Sequence, residues 1–352
     1  MLSRGGTLQL TGAGAALIAV CYGLARFAYG LFVPVFRTEF ALDATVAGTI
    51  ASGSYAAYCV AIVTSTVLTP RYGGRAVAVA AGCIATGGVL MIAAAPGVAV
   101  LAAGVLIAGS STGVASPPLA YAVAHNVAEA RRARTQTVIN AGTGLGVAVA
   151  GPVALLSHEQ WRAAWLVFAV LCALVTLWAG TAVPAGPRIR GTGPALLPHP
   201  PLPAGSGRLL AAAGLMGAAS AAVWTFGRDV LVSRGGMSEQ LSTIAWILLG
   251  VFGMLGATAG DVVERLGIRT AWPVTMVVLA AASWSLAVFP GNLAVAWTAA
   301  AVCGAAYIAL TGLLLVWGTE VYPHAPAADV GLASQLTALG QAMGVPLVDA
   351  VE

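Results

Sequence analysis

The chain has 352 residues, of which 59% are hydrophobic and 8% charged, against about 25% charged in an ordinary soluble domain. Its net charge of +4 is carried by arginine alone, because the sequence contains no lysine. These numbers exclude a soluble globular protein, and arginines confined to short loops exclude a nucleic-acid binder.

Apolar runs of bilayer-spanning length recur from end to end. Eleven helices are predicted, at about 8–33, 44–68, 75–95, 97–123, 136–156, 161–183, 208–231, 240–262, 271–289, 292–317 and 329–351. Arg4 precedes the first run, but no small-residue cleavage site follows it before Arg26, so this run reads as an uncleaved first span. Between the sixth and seventh runs lies 184–207, rich in Pro and Gly, which reads as a linker. The expected organisation is an all-α integral membrane protein: a six-helix bundle over 1–183, the linker, and a second bundle over 208–352. The five cysteines all fall inside apolar runs with no paired or metal-like spacing and read as small core residues.

Alternating loops, beginning at the N-terminus, hold Arg4; Arg71 and Arg75; Arg131, Arg132 and Arg134; Arg188, Arg190 and Arg208; Arg265 and Arg269. The opposite loops hold only Arg37, Arg162, Arg228 and Arg234. By the positive-inside rule the N-terminus and the linker are expected on the cytoplasmic side.

An internal repeat is visible in the loops. Arg71, Gly73 and Arg75 recur as Arg265, Gly267 and Arg269 at an offset of 194 residues, which also aligns Gly146 with Gly340 and Pro152 with Pro346. An offset of 195 pairs Gly109 with Gly304. Parallel repeats frame a site at their interface near the midplane. The symmetry also calls for a twelfth span, so the chain is expected to stop short of its last helix.

Thr66 to Arg75 and Gly260 to Arg269 resemble the loop signature of the major facilitator superfamily. The second copy carries Gly260, Glu264, Arg265, Gly267 and Arg269 on family positions; in the first, Thr66 replaces the glycine and Pro70 the acid. Gly23-x-x-Arg26-Phe27-x-Tyr29 with Pro34 beyond, and Phe226-Gly227-Arg228-Asp229 with Gly235-Gly236-Met237-Ser238, resemble a poorly characterised bacterial branch of that superfamily. The resemblance implies two six-helix repeats and transport across the inner membrane of a bacterium.

Arg26 dominates the functional reading, since a charge at the centre of a lipid-spanning helix costs about 2.5–3.5 kcal/mol on insertion scales. It falls in the half of the bilayer farther from the N-terminus, with no acid in the ten residues before it. Either it snorkels or pairs with a carbonyl at a helix contact, or it faces a central water-filled path and meets an anionic solute there. Tyr29, three residues on, is expected to share its helix face. Tyr55, Tyr58, Asn140, Trp224, Trp246, Tyr307 and Gln335 are further cavity candidates, with Asn140 and Gln335 aligned within a residue by the repeat. As gating residues we expect Arg71 and Arg75 in the first loop, Glu264, Arg265 and Arg269 in the second, and Arg228 and Asp229 at the outer end of span seven. For the last two, a solvated helix end is the rival reading, and their side chains should point about 100° apart.

No carboxylate lies mid-span, and His125, His158, His199 and His324 fall in loops or at helix ends, leaving no evident proton carrier except Asp349, late in span eleven. Gly142-x-Gly144-x-Gly146 lies inside a span and follows no strand, so it reads as helix packing, not a nucleotide loop. No catalytic constellation, metal spacing or cofactor motif is present, and an enzyme is not expected. The expected partners are a small organic solute, anionic on the strength of Arg26, and membrane lipid, with the coupling ion open; the rival class is a receptor or assembly protein on the same scaffold.

Overall fold

The computed structural model describes residues 2–156, 160–186, 202–322, 332–341 and 343. Among them every regular element is helical, and ten helices are long and apolar enough to cross a membrane. We number them α1 (Arg4–Glu39), α2 (Ala44–Tyr72), α3 (Gly74–Ala93), α4 (Val98–Asn126), α5 (Glu129–Leu156) and α6 (Trp161–Ala182). The second bundle follows as α7 (Ser206–Ser233), α8 (Glu239–Leu266), α9 (Ile268–Val288) and α10 (Leu293–Val321), with α11 described over 332–341. Most of the expected linker, together with Arg188, Arg190, His158, His199, His324, Pro346 and Asp349, lies outside the described residues.

The spans match the apolar runs, and they differ from them at the ends for physical reasons. Helix α5 starts at Glu129, ahead of the apolar run, because Arg131, Arg132 and Arg134 are good helix formers although they are not apolar. Helix α1 begins at Arg4, where Ser3 caps it by accepting from the Gly6 amide, and it runs through Pro34 to Glu39. Inside it, Ala19–Phe27 is π-helical, a wider winding with i→i+5 bonds.

The two bundles repeat one another in their contacts. Gly73 (φ 86°) and Gly267 (φ 70°) end α2 and α8 in the left-handed region that favours glycine, and each opens the next helix. A Cβ on Gly109 of α4 would fall 1.8 Å from Ser54 Oγ of α2, and one on Gly304 of α10 would fall 1.9 Å from the Leu249 carbonyl of α8. Both members of the second pair stand 195 residues after those of the first. Each repeat therefore seats the same helix crossing on the same missing side chain, the close approach that lets helices pack without a hydrophobic drive between them. Outward faces stay apolar: Leu166, Val170, Leu174 and Leu177 of α6 and Val277 and Trp284 of α9 are exposed, as lipid contact requires.

Candidate functional site

Arg26 projects between the two bundles. The residue is 8% exposed, and its Nη2 donates to Gln341 Oε1 of α11 at 2.9 Å. Gln341 in turn donates from Nε2 to the Tyr307 hydroxyl of α10 at 3.1 Å and towards Ser220 Oγ of α7 at 3.5 Å. The guanidinium carbon lies 4.6 Å from the ring centres of both Tyr55 and Tyr58 on α2 and 5.2 Å from that of Phe27, so π-faces take part of the place of a counter-ion. Arg26 Nε is buried with no hydrogen-bond partner, and none of the ion pairs among the described residues involves Arg26. A guanidinium with five donors is thus held by one amide oxygen and aromatic surface.

Two small cavities meet at this side chain. The larger, about 60 Å³, runs from Arg26 and Gln341 past Asn140 and Gln136 to Leu315, towards the end of the bundle that carries the chain N-terminus. It is large enough to hold more than one water, each of which needs about 10–15 Å³ of such space. The smaller, about 20 Å³, lies on the opposite side and includes Tyr29, Ser54, Trp224 and Thr225.

Beyond the smaller cavity the bundles are tied together. Phe27 of α1 stacks on Trp224 of α7 with ring centres 4.0 Å apart. Arg37 of α1 pairs with Asp229 of α7 at 3.6 Å. Arg228, only 5% exposed, donates to the Leu31 carbonyl of α1, to Ser242 Oγ at 3.2 Å and to Glu239 Oε2 at 3.5 Å. Arg228 is therefore not a solvated helix end. It and Asp229 do diverge, each to different partners, as neighbours 100° apart on a helix must.

A family model for the Major Facilitator Superfamily matches residues 15–345, nearly the whole chain. The chain belongs to the Major Facilitator Superfamily. Among solved structures, the fold is similar to that of a point mutant of the nucleoside transporter NupG, with a TM-score of 0.72 over 98% of this chain and 91% of that chain at 17% identity. A search of curated proteins finds none that matches. Membership makes this a multi-pass membrane protein and a secondary transporter of small solutes, and the twofold repeat above is the superfamily's architecture.

In this superfamily member the other expected residues divide as follows. Asn140 lines the larger cavity and donates to Thr311 Oγ1 across the bundle interface at 2.8 Å. Tyr307 lines the larger cavity and Trp224 the smaller, and the two rings pack edge to face 5.0 Å apart. Tyr29 lines the smaller cavity, yet its hydroxyl donates to the Ala47 carbonyl of α2 at 3.0 Å. Trp246 packs on Trp224 and lines neither cavity, and the Gln335 side chain lines neither. In the signature loops, Arg75 donates from Nε to the Val183 carbonyl at the C-terminal end of α6 at 2.7 Å, the favourable end for a cation. Arg71, Glu264, Arg265 and Arg269 are exposed and pair with no other described residue. Sequence reading missed Gln341, Tyr22, Ser116 and Thr311, which line the larger cavity. For Gln341 a signal existed: it directly follows Gly340, the repeat partner of Gly146.

Proposed function

We propose that the protein moves a small organic anion across the bacterial inner membrane by alternating access between the two bundles, with its N-terminus in the cytoplasm. The observation that carries this reading is Arg26, a buried arginine between the bundles with no carboxylate paired to it among the described residues. Burying an unpaired charge is costly, and an anionic solute supplies the missing partner on arrival. Arginine favours planar, two-oxygen recognition, so a carboxylate is the fitting group. The excess of arginine in the loops of the N-terminal side supports the orientation, and in that orientation the larger cavity points to the cytoplasm. Arg37, Arg228, Asp229 and Glu239 then form the closed outer gate, while Asn140 with Thr311 and the signature-loop charges lie on the inner side.

The test is flux. Purified protein in liposomes is expected to carry radiolabelled D-gluconate, and Arg26→Gln to lower that flux at least about a hundredfold, the scale of removing a buried charge-assisted contact. Unchanged flux in Arg26→Gln would remove the anion role, and flux of neutral glucose alone would replace it with a neutral substrate.

A further inference from the structure

We propose that the protein is a one-for-one exchanger of hydroxylated monocarboxylates, in which no proton is moved. This rests on Arg26 as the anion contact and adds what returns the carrier after unloading. The groups facing the guanidinium are the Tyr55 and Tyr58 rings and the Cys59 thiol of α2, Phe27 beside it, and Gln341 of α11. Behind Gln341 stand Tyr307 and Ser220. Among the described residues that line either cavity there is no Asp, Glu or His. Phenols, amides and hydroxyls keep their protons at pH 7 in water. No facing group among the described residues is thus suited to neutralise Arg26 when the solute leaves, or to carry a proton with it.

That asymmetry decides which step is slow. To change sides, the bundles must close the larger cavity that now lies beside Arg26. With a monocarboxylate bound, the closing site holds a neutral pair. Empty, it holds a bare cation, held by one neutral oxygen and three aromatic rings. The loaded protein turns over and the empty one does not, so solute is released on one side only when another is taken back. One positive group calls for one negative charge on the solute, and such an exchange carries no net charge. The remainder of the solute meets neutral hydrogen-bonding side chains: Tyr22, Ser116, Gln136, Asn140, Thr311 and Ser334. Hydroxyls, as both donors and acceptors, match that set.

The experiment uses the full chain in liposomes and radiolabelled D-gluconate, a monocarboxylate with a hydroxyl on each of its remaining carbons. Uptake into vesicles preloaded with unlabelled gluconate should exceed uptake into empty vesicles about a hundredfold, equivalent to about 2.7 kcal/mol at 1.36 kcal/mol per factor of ten. Neither an imposed pH gradient nor a potassium–valinomycin potential should drive accumulation into empty vesicles. Arg26-dependent uptake that proceeds equally into empty vesicles, or that a pH gradient drives, would overturn exchange while leaving the anion site standing. Absence of gluconate movement in both modes would overturn the two readings together.

Discussion

At the scale of single residues, Gln341 is the most informative contact in the molecule. It gives Arg26 a neutral oxygen at 2.9 Å, close enough to orient the guanidinium but without the charge that would satisfy it. Gln341→Glu is isosteric and places a carboxylate in that position. The internal pair should then compete with the solute: we expect the half-saturating gluconate concentration to rise at least about tenfold, since a charged hydrogen bond contributes about 1.5–3 kcal/mol, with Gln341→Ala producing a smaller change. Concentration dependence of exchange measures both. An unchanged value in Gln341→Glu would mean the solute does not meet Arg26 on that side. The lone arginine is legible in the sequence because its cost is a property of the chain alone. Gln341 is harder to single out: the repeat marks it only through the neighbouring Gly340, and its own counterpart at an offset of 194 is the apolar Val147. Asn140 has Ser334 as its counterpart at an offset of 194, and Ser334 does line the cavity, whereas Gln335 is turned about 100° away.

Among the elements, α1 departs most from what periodicity implies. Regular α-helical spacing puts Tyr29 beside Arg26, but the π-helical winding of Ala19–Phe27 wraps the chain differently just before it. Tyr29 lines the smaller cavity together with Arg26 but spends its hydroxyl on the Ala47 carbonyl of α2, anchoring α1 there. Apolar runs announce spans and their number; a local change of winding leaves the composition untouched and stays silent. Helix crossings are readable to a better degree, because Gly109 and Gly304 recur at matching positions. That equivalence has a measurable consequence. Gly304→Ala would press its methyl group into the Leu249 carbonyl, where a Cβ would stand 1.9 Å away, and backbone cannot yield as a side chain does. We expect a loss of about 1–3 kcal/mol, seen as a lower melting temperature of the purified protein in detergent. Gly87→Ala, on α3 with nothing within 4 Å of the added carbon, should be neutral or gain up to about 1 kcal/mol from helix propensity. Equal effects from the two would show that the repeated crossing is not held by close approach.

For the whole molecule the question is what keeps one end shut while the other holds a cavity. Besides the Phe27–Trp224 stack and the close packing of α5 on α8, the ties between the bundles on the shut side of Arg26 are polar. Arg37 to Asp229 is partly exposed, with side chains 37% and 27% accessible, and such pairs contribute at most about 1 kcal/mol. Arg228 is different, because it is buried, and it links the α1 backbone at Leu31 to Ser242 and Glu239 at the start of α8. Opening this end requires α1 to leave Arg228, whose hydrogen bond to the Leu31 carbonyl would then go unmade. Arg228→Gln should therefore weaken closure where Arg37→Gln barely does. Thr225 lies in the smaller cavity, sheltered behind this contact, with its hydroxyl buried and unpaired. In a protein whose five native cysteines are replaced by alanine, Thr225→Cys should react slowly with a membrane-impermeant maleimide added outside intact cells. Adding Arg228→Gln should speed that labelling about tenfold or more, the scale of a charged hydrogen bond of about 1.5–3 kcal/mol; Arg37→Gln should change it by less than about fivefold. Labelling that ignores Arg228 would assign closure to the Phe27–Trp224 stack instead, and labelling only from the cytoplasmic side would reverse the orientation of the bundle.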